Sequence, residues 1–299
     1  VLGFALMGGG NVVRRRPLAA SFIPHIQRKH ARASGRRAHN IGVSMCTSFV
    51  IFGEETYIGM NFDILDCEGF KVVQRAEDQL VVMIKRNDNW YDTFGFNENG
   101  NFCNMLMVTS NGKGLYKRGK NVIHMTKFLE QVLGNRIAES NFSDYLETNE
   151  IVNVPQNSVH SMVVIGGKGF IVEPGRRNIE IKKYGVLTNF SISDDEKNKV
   201  GIERYNVAME TIAKSKKYNV DVAYEILKKT QQISGDYKTK LSMIFIPTNG
   251  VICLYVNGND KALLEYEFKH KYVTAINTGK RIKLTKSGII DKDLLEICV

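Results

Sequence analysis

The stretch Met45-Cys46-Thr47-Ser48-Phe49-Val50-Ile51-Phe52, the turn Gly53-Glu54-Glu55, and then Thr56-Tyr57-Ile58-Gly59-Met60-Asn61-Phe62-Asp63 decide how this chain is read. Two runs rich in β-branched and aromatic residues around an acidic turn predict a hairpin, and the first run opens on a cysteine directly after a methionine. If translation starts at Met45, or the chain is cut there, Cys46 carries both a thiol and a free α-amine. That amine can act as the thiol's own base.

Composition changes abruptly at the same place. The chain has 299 residues and a formal charge of +10, but eight Lys or Arg and no Asp or Glu precede Met45, which leaves 33 basic against 31 acidic side chains after it. The cation type shifts from arginine to lysine as well. Residues 1–45 therefore read as a basic leader, expected to be disordered and to be foreign, upstream or removed sequence. Residues 46–299 read as a single domain. With 43% apolar residues it can bury a large core, and no apolar run approaches the length of a membrane span.

Five cysteines without a Cys-x-x-Cys pair, with His124, His160 and His270 far apart, argue against a disulfide framework or a zinc site. Cys67, Cys103, Cys253 and Cys298 read as small buried hydrophobes, and a reducing cytoplasm is the expected location. Neither a Gly-x-Ser-x-Gly elbow nor a phosphate loop appears, so no cofactor and no metal are expected. The patches Lys113, Lys117, Arg118, Lys120 and Arg176, Arg177, Lys182, Lys183 read as solvated loops.

Further strands are predicted at 70–74, 80–85, 102–109, 160–165, 170–172, 179–183, 186–189, 241–246, 251–256 and 263–268, with Gly166-Gly167 as a turn. Helices are predicted in two pairs. In the first pair Val122, Met125, Phe128, Leu129 and Val132 share a face and Ser143 caps the second helix. The other pair covers 198–215, with Ile202, Tyr205, Met209 and Ile212 on one face, and 221–232. Blocks of strands separated by helix pairs imply an α+β fold of antiparallel sheets packed between helix layers.

Cys46-Thr47-Ser48, Asn61-Phe62-Asp63, Val186-Leu187-Thr188-Asn189 and Glu203-Arg204-Tyr205 recur in the order and approximate spacing of the choloylglycine hydrolase family. That family includes penicillin V acylases and bile salt hydrolases and is related to the aminopenicillanate acyltransferase-like group. The chain resembles it from about residue 46 to 268. The resemblance implies an N-terminal nucleophile (Ntn) hydrolase with a four-layer αββα sandwich that cleaves linear amides other than peptide bonds. It implies Cys46 as nucleophile, Asp63 holding its amine, Asn189 and the backbone N–H of Met107 as oxyanion donors, and Arg204 as electrostatic support. It also implies a small N-acyl amide substrate and a possible homotetramer.

The resemblance departs at Met60, where the family has arginine. Two expectations stand side by side: weaker thiol activation, or compensation by Arg75, Arg204 or a nearby lysine. Loops around 66–70, 90–96 and 111–119 are expected to set specificity, and Trp90, Tyr91, Phe94 and Phe96 suggest an acyl pocket or, equally, core packing. Acyl transfer to an amine or thiol shares the same intermediate. A reading of another class, a nucleic-acid-binding protein using arm 1–44, ranks lower because the body is nearly neutral, so no nucleic-acid or membrane partner is expected.

Overall fold

The computed structural model describes residues 45–194 and 199–299. The basic leader lies outside the described residues apart from Met45. Within them, the opening hairpin Thr47–Phe52 and Thr56–Leu65 is paired in register from Thr47 with Asn61 to Phe52 with Thr56. It lies in an eight-stranded antiparallel sheet. Across that sheet run Tyr184–Leu187, Thr47–Phe52, Thr56–Leu65, Tyr237–Ile246, Val251–Val256, Leu263–Glu267, Tyr272–Ala275 and Arg281–Lys283.

A second sheet of nine strands has Val159–Ile165 between Lys168–Val172 and Phe102–Asn104, continues through Asn89–Asn97, Gln79–Arg86 and Phe70–Ala76, and takes Leu106–Met107 as a short extra partner of Val159–Ile165. Side chains alternate across each strand, so each sheet presents two faces. Val50, Ile58, Met60, Phe62 and Ile64 of the first sheet and Val72, Leu80, Val82, Phe94 and Phe96 of the second form the core between the sheets.

The opposite faces are covered by helices. Phe49, Ile51 and Tyr57 pack with Ala208 and Ile212 of helix Ile202–Lys214 and with Ala223, Ile226 and Leu227 of helix Val220–Thr230. Val73, Val81, Cys103 and Val163 pack with Met125, Phe128, Leu129 and Val132 of helix Met125–Leu133 and with Phe142 of helix Phe142–Thr148. The order is helix, sheet, sheet, helix: a four-layer αββα sandwich.

The outline read from periodicity corresponds to these elements, with instructive misses. Asn89–Asn97 is a strand, so the supposed loop at 90–96 is part of a sheet, and Phe94 and Phe96 are fully buried core residues. Trp90 only flanks the helix-side core and Tyr91 is half exposed. Asn141, not Ser143, precedes the helix at Phe142. Cys67 is exposed, unlike the other cysteines. Arg176, read as a solvated loop residue, has a side chain only 1% exposed and paired with Asp194 at 2.5 Å.

Candidate active site

Strand register gathers the site at one end of the first sheet. Ser48 pairs with Leu187 and Thr47 with Asn61, so continuing the two ladders sets Asn189 opposite Cys46 and Asp63 opposite Met45. On the next strand Asp63 pairs with Thr239. Three sequence-distant segments thus reach one place by backbone pairing alone, and Cys46, Asp63 and Asn189 are all buried there.

Arg204 ties them together. It lies in the first turn of helix Ile202–Lys214, and its Nη1 donates to the Cys46 carbonyl at 2.7 Å and to Thr47 Oγ1 at 2.8 Å, while Nη2 donates to Asn189 Oδ1 at 3.1 Å. The same Nη1 lies 3.6 Å from Asp63 Oδ2. A planar fork with several fixed donors can hold this many acceptors at once; a lysine ammonium cannot reproduce that geometry. Gly201 makes room for it: φ is +82°, and an added Cβ would come within 2.5 Å of Arg204 Nη2.

Met107 arrives from the second sheet. Val108 N donates to Ser158 O at 3.0 Å, and Val159 N turns instead to Asn153 Oδ1 at 2.9 Å, so Met107 and Val159 form a non-hydrogen-bonded pair of the antiparallel ladder. Both the amide and the carbonyl of Met107 therefore point away from strand Val159–Ile165. The carbonyl accepts from Asn189 Nδ2 at 2.9 Å, which puts the Met107 N–H on the edge facing Asn189.

Asp63 has a second set of partners that sequence reading missed. Thr239 Oγ1 donates to Oδ1 at 2.5 Å, and Gln232 Nε2 donates to Oδ2 at 2.7 Å and to the Met45 carbonyl at 3.1 Å. Gln232 follows the helix Val220–Thr230 and is held by its own amide on Thr239 Oγ1 at 2.8 Å. No short motif marks a glutamine in this role. Beside Gln232 and Thr239 opens a cleft of about 210 Å³ whose walls include Asp66, Lys238 and Lys240.

Burial pushes the Asp63 carboxyl up from 3.8 to about 6, although the Arg204 charge and the bonds from Thr239 and Gln232 pull the other way. Because the folded-state value lies above the unfolded one, the stability contributed by protonating Asp63 is complete below pH 3.8 and is lost as pH rises through about 6. The shift is worth about 3 kcal/mol. Thermal melts of the chain with its 45–46 bond intact are expected to show this loss between pH 4 and 7, and Asp63→Asn to remove it. Parallel pH profiles for the two proteins would refute the assignment.

Met60, where the resembled family has arginine, is buried between the sheets and receives Asn104 Nδ2 at 3.9 Å on its sulfur. Arg75 does not approach the site; it pairs with Asp92 near the far edge of the second sheet. Arg204 is the guanidinium found there among the described residues. Of the three loops read as setting specificity, that at 111–119 is docked through Lys113 and Asn153 to neighbouring segments.

No protein-family model matches the chain, and no curated protein does. Solved structures do. An arginine-to-leucine variant of conjugated bile acid hydrolase from Clostridium perfringens matches with a TM-score of 0.56 at 16% identity, covering 81% of this chain and 98% of that one. A cysteine-to-alanine variant of the same enzyme gives 0.54 at 14% identity, over 80% and 96% of the two chains. Penicillin V acylase from Agrobacterium tumefaciens gives 0.54 at 15% identity, over 82% and 90%. This is the Ntn-hydrolase fold. Within that fold, the residues brought together at the sheet ends are Cys46, Asp63, Asn189, Arg204 and the backbone of Met107. Among the described residues no helix is long and apolar enough to cross a membrane.

Proposed function

We propose that this protein is an N-terminal-cysteine amidohydrolase that cleaves a linear, non-peptide amide of an N-acyl compound through an acyl-thioester on Cys46. The observation that carries the reading is the convergence of Cys46 with Asn189, Asp63 and Arg204, held by the 2.7 Å and 3.1 Å bonds from Arg204. The Ntn-hydrolase fold supports it.

The active form begins at Cys46 in this reading. A thiol ordinarily titrates near 8.5 and an α-amine near 7.7 to 8.0, so a modest electrostatic bias lets the amine take the thiol proton. The thiolate adds to the amide carbon, and negative charge moves onto the carbonyl oxygen, where Asn189 Nδ2 and the Met107 N–H are the donors. Collapse breaks the C–N bond as the ammonium gives its proton to the leaving nitrogen. Water, activated by the same amine, then adds to the thioester and releases the acid and the thiol.

Asp63 acts on the amine. Its carboxylate faces the start of the chain, and a new ammonium beside it would draw its titration below the value of about 6 held while the 45–46 bond is intact. A retained residue 45 turns the amine into a non-basic amide. The leader is therefore absent from the active protein, and we assign the protein to the reducing cytoplasm on its odd number of cysteines and lack of a Cys-x-x-Cys motif.

The test is direct. Protein beginning at Cys46, its N-terminus verified by mass spectrometry, is expected to release amine and acid in equal amounts from a panel of N-acyl amines and N-acyl amino acids. Acyl product on an added amine or thiol instead of free acid would reassign it as an acyltransferase. No release from any member, with the thiol intact, would overturn the proposal.

A further inference from the structure

We propose that His160 and Glu173 form a buried hydrogen-bonded pair that positions both oxyanion donors, Asn189 and the Met107 backbone. The inference rests on the amidohydrolase reading above. His160 is 0% exposed and Glu173 1%. Sequence spacing gave no reason to connect them.

Both ring nitrogens of His160 face oxygen. Nδ1 lies 3.1 Å from Glu173 Oε1, and Nε2 lies 2.6 Å from the carbonyl of Thr188, the residue before Asn189. A carbonyl only accepts, so Nε2 carries a proton. Glu173 is an ionised acceptor as well: Oε1 takes the Ile192 amide at 2.9 Å, while Oε2 takes the Ser193 amide at 2.9 Å, Ser191 Oγ at 3.1 Å and Ser193 Oγ. Burial pushes its carboxyl up, but the His160 bond and charge and these donors outweigh that and hold it at about 2. Both ring nitrogens are thus held between fixed oxygens, the Glu173 carboxylate on one side and the Thr188 carbonyl on the other.

Burying a carboxylate beside an imidazole is costly, and an apolar pair of similar volume would serve stability as well or better. What such a pair can supply is geometry. His160 grips the backbone just before Asn189, and Glu173 grips it at residues 191–193 just after, so the segment carrying the amide donor is held from both sides. The backbone of His160 is also paired with Leu106, and Val159 with Met107, which fixes the second donor from the same strand. The Asn189 to Met107 bond of 2.9 Å joins the two ends. Oxyanion stabilisation decays when donors move by about half an ångström, so both residues act through Asn189 and Met107 and touch no substrate.

Glu173→Gln keeps the shape and removes the charge. Its kcat is expected to fall about 10- to 100-fold with KM within about twofold, while the rate of Cys46 alkylation by iodoacetamide, which develops no oxyanion, is unchanged. In an Asn189→Ala background the same substitution is expected to cost less than about threefold, because both changes damage one unit. Backbone amide hydrogen exchange at residues 188–193 is expected to accelerate.

Ser193→Ala, at an exposed position that leaves the His160–Glu173 contact intact, is the milder variant should Glu173→Gln fail to fold. It is expected to lower kcat about two- to fivefold at constant KM. Unchanged kcat in either folded variant, a matching rise in KM, or full additivity with Asn189→Ala would overturn positioning. Should the parent release no amine at all, the amidohydrolase reading fails, and exchange at 188–193 still decides the inference: no acceleration in Glu173→Gln overturns it.

Discussion

Cys46→Ala in a chain processed to begin at residue 46 is expected to lower amide turnover by about 10⁴-fold or more, with the fold unchanged. The side chain is buried at the end of the strand Thr47–Phe52, and alanine keeps its Cβ, so packing loses a single sulfur. In the proposed mechanism, chemistry loses the bond-forming atom. What remains is the proposed Asn189 and Met107 donor pair, which would stabilise attack by water only weakly. Loss of turnover with an unchanged melting curve, and no acyl adduct at residue 46 by intact mass, is the expected pattern. Cys46→Ala protein that keeps turnover within a factor of ten would remove the thiol from the mechanism.

The same residue shows what could be read in the sequence. A hairpin is a local object, and the runs on either side of Gly53-Glu54-Glu55 predict it from turn chemistry and β-branched content; the structure pairs it from Thr47 to Phe52 as read. Antiparallel sheets between helix layers were legible because helices fall in pairs between blocks of strands, and the four-layer order was what the family resemblance implied. The strand Asn89–Asn97 was not. Its aromatics Trp90, Tyr91, Phe94 and Phe96 are what both a ligand pocket and a strand require, and only packing against Phe62 and Phe245 shows that Phe94 and Phe96 belong to the core. The short C-terminal strands and helix beyond residue 268 carry too few apolar positions for periodicity to register.

At the site, the residue types that carry chemistry stood out, and the residues that hold them did not. Cys46, Asp63 and Asn189 occur in tripeptides with recognisable order. Gln232, Thr239, His160 and Glu173 make their contacts through hydrogen bonds to backbone, hydroxyl or carboxylate groups, set by strand register and loop closure across more than a hundred residues of sequence in the case of Gln232 and Asp63. Such contacts leave no local pattern. Met60 is the reverse case: sequence marked it as an anomaly, and the structure turns it into part of an apolar wall with Asn104 rather than a charged partner of the thiol.

Asn189→Ala is expected to cost about 10² to 10³ in kcat, the usual price of one oxyanion donor. The amide is fixed on both sides: Oδ1 is held by Arg204 at 3.1 Å and Nδ2 points to the Met107 carbonyl at 2.9 Å, so the orientation of the group is set before substrate arrives. A preorganised donor needs no reorganisation in the transition state, and its effect falls on kcat, leaving KM near its starting value. Alanine also leaves the Met107 carbonyl and one Arg204 N–H without this partner. Arg204 keeps Cys46 O and Thr47 Oγ1, which limits the loss of stability to about 1 to 3 kcal/mol. Steady-state kinetics and a urea melt on the same preparation separate the two effects. A folded Asn189→Ala protein with unimpaired kcat would leave the Met107 N–H alone as the oxyanion donor and would break the link between strand register and chemistry on which the site is built.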